Sequence, residues 1–324
     1  MNNSYLPVID ISPLYSKNPD HWQSVALDID SACQKSGFFY VTGHGITPER
    51  ITQLAAMYQK FFAQPLDQKL QIDITKTRHH RGYGAIGTEQ LDPKRPGDFK
   101  ETFDMGRNLA PDHPHVLAEK PLHGTNQYPE LVGFKELVET HYWDMLELGK
   151  TILRGLAIAL GLAPYYFDKN FTEPLSVLRF IHYPQVEKIA LKNQIGAGAH
   201  TDYGCITILH QDDIGGLQVQ DKQGQWLDAT PIAGSFVINI GDMMSRWSND
   251  RYTSTPHRVI NPSGSERYSM PFFVEPNFET KIAALPGCFD QANPAKYQQI
   301  SAGNYLLSRF AETYEYFDKE PKTH

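Results

Sequence analysis

The apolar positions of this chain change period part-way along it. Between Asp20 and Lys35 they recur at helical spacing, and Gly37 ends that run. The stretch Phe38-Phe39-Tyr40-Val41-Thr42 is continuously apolar and rich in aromatic and β-branched residues, which predicts a buried strand, and Pro48 opens a second helix to about Phe62. A short extended piece, residues 6 to 11, precedes the first helix. From about Lys76 to Asn126, Gly, Pro, His and charged residues follow one another without a period, which predicts a long covering loop. Leu131, Phe134, Val138, Tyr142, Met145, Leu148, Ile152 and Leu156 then share one helical face, so Pro129 to Leu160 reads as one long amphipathic helix or two in series.

Beyond residue 160 the period shortens to that of strands. Runs of this kind cover Val177 to Tyr183, Cys205 to His210, Leu217 to Gln220, Gln225 to Asp228, Ser235 to Ile240, Arg258 to Ile260 and Tyr268 to Val274. The turn Asp221-Lys222-Gln223-Gly224 joins two of them as a hairpin, and helical spacing returns between Pro294 and Phe317. A block of strands with helices gathered before and after it favours a mainly β fold, a β-sandwich or jelly-roll barrel with flanking helices, over a parallel α/β sheet. The expected organisation is an N-terminal α/β region over residues 1–125 covering a barrel core over residues 126–324, the two forming one compact unit.

Composition narrows the function classes. The 324 residues are 40% hydrophobic and 21% charged with 24 Gly and 22 Pro, which excludes collagen-like, disordered and disulfide-stapled chains. Thirty basic against 37 acidic residues give a net charge of -7 with no long basic run, so nucleic acid is not an expected partner. The opening residues lack a basic segment followed by an apolar one, and the apolar stretch Ile152 to Ala163 is short and interrupted by Arg154, so no membrane association is expected. Cys33, Cys205 and Cys288 are odd in number and far apart, as suits reduced packing thiols, and the expected location is the cytoplasm.

The candidate chemistry begins in Gly198-Ala199-His200-Thr201-Asp202-Tyr203-Gly204. His200 and Asp202 are two apart and share a face on extended backbone. His257, in Ser254-Thr255-Pro256-His257-Arg258-Val259, precedes a strand-like run that can return beside that pair across a closed barrel. Two imidazoles and one carboxylate form a facial triad, the set that non-haem Fe(II) oxygenases use because it leaves open positions for a bidentate cosubstrate and dioxygen. A His-x-Asp pair alone is common, and thirteen histidines occur here. The additional signal is Arg267-Tyr268-Ser269, where Arg267 and Ser269 share a strand face and suit a carboxylate through charge-assisted hydrogen bonds.

These residues belong to an ordered series of motifs. Residues 6 to 12 read Leu-Pro-Val-Ile-Asp-Ile-Ser, residues 37 to 46 Gly-Phe-Phe-Tyr-Val-Thr-Gly-His-Gly-Ile, and residues 100 to 106 Lys-Glu-Thr-Phe-Asp-Met-Gly. Gly215-Gly216-Leu217-Gln218-Val219 and Val237-Ile238-Asn239-Ile240-Gly241-Asp242 follow between the two metal-ligand segments. On these motifs the chain resembles, over most of its length, the isopenicillin N synthase-like family of 2-oxoglutarate- and Fe(II)-dependent dioxygenases. The resemblance implies a double-stranded β-helix (jelly-roll) core, a monomer, and a small-molecule substrate. It implies His200, Asp202 and His257 as iron ligands, Arg267 and Ser269 on the distal carboxylate of 2-oxoglutarate, and dioxygen as the oxidant. In Arg179-Phe180-Ile181-His182-Tyr183-Pro184, Tyr183 matches a cosubstrate-binding Tyr of many plant members, whereas Ile181 stands where their Asn would be.

The resemblance implies oxidative decarboxylation of 2-oxoglutarate to succinate and carbon dioxide, coupled to hydroxylation, desaturation or cyclisation of a small-molecule substrate; the family does not fix that substrate, and a small polar or carboxylated metabolite is the expectation. Three other readings stay open: an isopenicillin N synthase-like oxidase without 2-oxoglutarate, an ethylene-forming type, which the segment around residues 198–204 and 211–213 resembles, and a catalytically silent binding domain. A zinc hydrolase would not need the Arg-x-Ser pair. Around the site, Arg81 and Tyr83 are candidate substrate contacts in the long loop, against a solvated basic face. Asn239 is a candidate for the metal pocket, against bonding to nearby backbone, and Phe273 a candidate pocket wall because alternation puts it on the Arg267 and Ser269 face. His44 reads as a structural turn residue.

Overall fold

The computed structural model describes residues 6–314 except 93, 95, 186–194 and 262–263. The strands of the two larger sheets, in chain order, are β1 (Val8–Asp10), β2 (Phe38–Thr42), β3 (Gly82–Gly84), β4 (Glu101–Gly106), β5 (Val177–Tyr183), β6 (Ala197–His200), β7 (Ile206–Gln211), β8 (Leu217–Gln220), β9 (Trp226–Asp228), β10 (Phe236–Ile240), β11 (His257–Val259) and β12 (Arg267–Val274). The helices are α1 (Asp20–Lys35), α2 (Pro48–Phe62), two short turns α3 (Leu66–Lys69) and α4 (Pro114–Leu117), the long α5 (Phe134–Ala159), α6 (Asp242–Trp247) and α7 (Ala302–Thr313).

An eight-stranded sheet runs in the order β1-β2-β10-β7-β12-β5-β4-β3, and a four-stranded sheet in the order β6-β11-β8-β9. Apart from the parallel β1–β2 pair, every pairing in them is antiparallel. The two sheets form the jelly roll, and strands from the first 125 residues extend the same large sheet as the barrel strands.

Period-two alternation gives the large sheet two working faces. On β12, Met270, Phe272 and Val274 enter the main core, while Arg267, Ser269, Pro271 and Phe273 face the barrel interior. On β5, Leu178 and Phe180 join the core, whereas Val177, Arg179, Ile181 and Tyr183 face inward. The long helix α5 covers the core face: Tyr142 meets Phe272 edge-on at 5.3 Å, and an added Cβ on Gly149 would lie 2.9 Å from Val274. Helix α1 presents Trp22, Val25, Ile29, Ala32 and Cys33 to the same core, as helical spacing predicts. Helix α2 starts at Thr47, whose hydroxyl accepts the Arg50 amide, with Pro48 in its first turn.

The long loop predicted over residues 76 to 126 is corrected by the structure: it contains β3 and β4, and all six residues of β4 are buried. Glu101, Thr102 and Asp104 blunt the apolar signal of β4, and distant groups satisfy its carboxylates. Glu101 accepts from Lys69, Tyr83 and His182, and Asp104 from Arg179, its cross-strand partner on β5. Such buried charges persist only when paired. The first strand of the small sheet, β6, is likewise not delimited by its Gly- and Ala-rich sequence.

Gly37 closes α1 with φ at +66°, its amide bonded to the Ala32 carbonyl, and an added Cβ would sit 2.1 Å from the Thr253 carbonyl oxygen. Gly37→Ala therefore strains the backbone and collides with the segment leading to His257. Chemical denaturation is expected to show a loss of about 1–3 kcal/mol; an unchanged midpoint would remove this constraint.

Candidate active site

The small sheet assembles the metal-type cluster. His200 ends β6 and His257 begins β11, and the antiparallel register places these two residues directly opposite each other. The sequence reading has His257 returning beside that pair, and it does so on the adjacent hydrogen-bonded strand. Asp202 follows His200 by two residues and turns inward, so that Nε2 of His200 and of His257 lie 3.6 and 3.5 Å from Asp202 Oδ1. One donor atom from each of the three lies within 4.8 Å of the other two. Both rings are oriented from behind: Nδ1–H of His200 donates to the Gly198 carbonyl at 2.7 Å, and Nδ1–H of His257 to the Thr255 carbonyl at 3.2 Å. This leaves both Nε2 lone pairs aimed at one point.

Asp202 is fixed from the large sheet. Its Oδ2 accepts hydrogen bonds from the Thr207 hydroxyl on β7 and from Asn239 Nδ2 on β10 at 2.8 Å, leaving Oδ1 toward the histidines. Burial alone would raise the Asp202 carboxyl, but His257 and His200 outweigh it and hold the group well below the usual carboxylate range. Two imidazole nitrogens and a carboxylate, each oriented by an outer hydrogen bond, are a donor set that fits Fe(II).

A cavity opens beside this cluster and encloses, with its mouth, about 950 Å³. Arg267, only 1% exposed, stands at one end. Its Nε donates to the Gly215 carbonyl at 2.6 Å and its Nη1 to Ser269 Oγ at 3.3 Å, and its guanidinium lies over the Tyr183 ring at 4.7 Å. Among the described residues no carboxylate forms an ion pair with it. A buried cation with hydroxyl and phenol beside it, and no carboxylate in ion-pair contact among the described residues, fits an anionic ligand group such as a carboxylate.

Phe273 lines the cavity wall as alternation predicts, and Asn239 lines the cavity too while its Nδ2 donates to Asp202. Arg81 and Tyr83 are corrected. Arg81 is 3% exposed and sits behind the wall against Gly106, and Tyr83 is 1% exposed with its hydroxyl donating to Glu101, so neither lines the cavity. β3 is a buried edge strand of the large sheet rather than a surface loop, and its pairing with β4 turns Tyr83 away from the mouth. His44 is a turn residue: its Nδ1 accepts from the Ile46 amide and its Nε2–H donates to the Gly234 carbonyl.

Sequence reading missed the end of the cavity opposite Arg267. There Arg179 pairs with Asp104 at 2.6 Å and Glu89 at 3.1 Å, and Lys100 pairs with Glu89 and Asp98 at 2.7 Å each. Tyr314 donates to Glu89 and bonds Arg179. Glu275 lines the same end, and burial pushes its carboxyl up to about 8 against the pull of Arg81 and Arg179. Strand parity points to Arg179 and Glu275, which follow the alternation of Tyr183 and Arg267; nothing local marks Glu89 or Lys100.

Comparisons with known proteins agree with this geometry. Residues 6–131 match the family model for the non-haem dioxygenase in morphine synthesis N-terminal region, and residues 172–276 that of the 2OG-Fe(II) oxygenase superfamily. The chain is 36% identical to the 2-oxoglutarate-Fe(II) type oxidoreductase hxnY of Emericella nidulans, covering 95% of this chain and 90% of that protein. It is 40% identical to a homoarginine-6-hydroxylase of Arabidopsis thaliana, covering 96% and 89%. A full-length Neurospora crassa protein, solved in complex with alpha-KG and thymine, superposes with a TM-score of 0.84 at 34% identity, covering 95% and 96%. The chain belongs to the 2-oxoglutarate- and Fe(II)-dependent oxygenase superfamily. It is a dioxygenase that couples oxidative decarboxylation of 2-oxoglutarate to oxidation of a small molecule.

Two measurements follow. Asn239→Ala removes one of the two hydrogen bonds that orient Asp202, so Fe(II) affinity by anaerobic titration should fall about 10- to 100-fold with the circular dichroism spectrum retained; undiminished affinity would show Thr207 to suffice. Glu275 binds its proton more tightly folded than unfolded, near 8 against 4.5. Its contribution to stability is thus complete below the unfolded value and lost as pH rises through the folded one. Denaturation midpoints from about pH 5 to 9 should decline, and Glu275→Gln should flatten the decline; an identical slope in the variant would refute the assignment.

Proposed function

We propose that His200, Asp202 and His257 hold Fe(II), that Arg267, Ser269 and Tyr183 seat the far carboxylate of 2-oxoglutarate, and that the enzyme hydroxylates a C–H bond of a small polar metabolite. The observation that carries this reading is Arg267, a buried cation in no ion pair among the described residues, on the cavity-facing side of β12 beside an oriented His-Asp-His cluster. The overall change is substrate, 2-oxoglutarate and dioxygen to hydroxylated substrate, succinate and carbon dioxide. When bound at the triad, Fe(II) supplies the redox chemistry of dioxygen activation, one oxygen atom ending in succinate and the other in the new hydroxyl group.

The chain's own residues supply position and dryness. Thr207 and Asn239 hold Asp202, and the Gly198 and Thr255 carbonyls hold the imidazoles, so that the ligands need no rearrangement on metal binding. Phe38, Leu209, Leu217, Val259 and Phe273 give the cavity an apolar wall that keeps bulk water from the reacting carbon. Relatives named for homoarginine hydroxylation and a neighbour solved with thymine support a small polar substrate. The 2-oxoglutarate named in the relatives favours this reading over an oxidase without that cosubstrate.

Anaerobic addition of 2-oxoglutarate to the Fe(II)-loaded protein should produce a visible metal-to-ligand charge-transfer band. His200→Ala should abolish it, and Arg267→Ala should weaken 2-oxoglutarate binding about 10- to 100-fold, the loss expected for a charged hydrogen-bonded pair. Iron binding without the band would overturn the cosubstrate site, and unimpaired iron binding by His200→Ala the triad.

A further inference from the structure

β12 puts opposite requirements at its two ends. Its inward residues run from Arg267 through Ser269, Pro271 and Phe273, and Glu275 continues the series just past the strand. The metal-type cluster lies between the ends: Phe273 pairs with Thr207, whose hydroxyl bonds Asp202. Glu275 is therefore on the far side of the cluster from the cation assigned to 2-oxoglutarate, in the part of the cavity left for the primary substrate.

The charges at that end balance without Glu275. Arg179 and Lys100 line the cavity, with Arg81 behind them, and the carboxylates of Glu89, Asp98 and Asp104 equal these three cations in number while forming their ion pairs with Arg179 and Lys100. Lys100 is taken up by Glu89 and Asp98, and Arg179 by Asp104, Glu89 and Tyr314, so neither lining cation is left for an anionic substrate. Glu275 is a fourth carboxyl against three cations: Arg81 and Arg179 attract it, but neither forms an ion pair with it among the described residues. It is 5% exposed, and among the described residues its carboxyl oxygens make no hydrogen bond or ion pair; only its backbone is held, by Ser176. Gly204 leaves the room in front of it, since an added Cβ there would lie 2.9 Å from Glu275 Cγ. Phe273 and Phe310 add aromatic faces to the same cavity. An unpartnered carboxyl among saturated ion pairs and aromatic rings is complementary to a cation.

We infer that Glu275 is the specificity-determining residue for the primary substrate, and that this substrate is a small metabolite bearing a cationic nitrogen, a guanidinium or alkylammonium group, seated on Glu275. A substrate bound only through a carboxylate finds no free counter-charge at this end. The inference rests on the proposed iron and 2-oxoglutarate sites, since these decide which part of the cavity the substrate occupies.

The test uses the full chain loaded anaerobically with Fe(II) and 2-oxoglutarate, with the charge-transfer band recorded first. Agmatine, L-arginine and L-lysine are then titrated by calorimetry against the uncharged side-chain analogues L-citrulline and L-norleucine and the dicarboxylate adipate. At least one cationic probe should bind 10-fold or more tightly than its neutral counterpart and, once air is admitted, should raise succinate release and appear as an oxygenated product by mass spectrometry. Glu275→Gln should cost that probe at least 10-fold in affinity, and Glu275→Asp, the second variant should the first fold poorly, should restore part of it. A missing band in the unaltered protein defeats the proposed iron and cosubstrate sites. A normal band with no cationic probe bound, with neutral or dicarboxylate probes bound equally well, or with cation binding indifferent to both variants overturns the role of Glu275.

Discussion

A strand in a two-layer fold can offer alternate residues to two different surroundings, and the site depends on how β12 divides them. Its even-numbered residues pack under α5, where Phe272 meets Tyr142 and Val274 closes on Gly149. That packing fixes the register, because a slip of one residue would send Met270, Phe272 and Val274 into the cavity and Arg267 into the apolar core. The odd-numbered residues inherit their positions from this constraint. Arg267, Ser269 and Phe273 are precise because the opposite face of the same strand cannot move, which is also why a buried arginine is tolerated there.

The metal-type cluster depends on the meeting of the two sheets. The small sheet brings the histidines opposite each other through the β6–β11 register, and the large sheet holds the carboxylate through Thr207 and Asn239. Neither sheet alone completes the set. The division suits a centre that must keep a fixed ligand geometry while leaving one side open, because the open side is then the gap between layers rather than a break in a sheet.

The remaining chemistry of the cavity is electrostatic. At one end a cation forms no ion pair with a carboxylate among the described residues; at the other, three cations face four carboxyls. Burying six charges is costly unless each is paired, and the register of β4 against β5 supplies the central pair by placing Asp104 opposite Arg179. The two unmatched groups, Arg267 and Glu275, are those that face ligands in the proposed reading, and their separation along one strand gives the cavity a direction.

Much of this was legible in the chain itself. Helical and strand periods delimited α1, α5, β5, β8 and β12 closely, because each has an apolar face whose repeat survives any tertiary arrangement. The spacing of His200 and Asp202 and of Arg267 and Ser269 pointed to a shared face for each pair, since two-residue parity is a property of extended backbone. What the sequence did not carry was partnership. β4 was hidden because its buried carboxylates are paired by Lys69, His182 and Arg179 from distant elements, and Tyr83 was misplaced because only the pairing of β3 with β4 shows which way it turns. The local chain determined which residues share a face; the tertiary structure decided which faces meet, because register and charge pairing join residues tens to hundreds of positions apart.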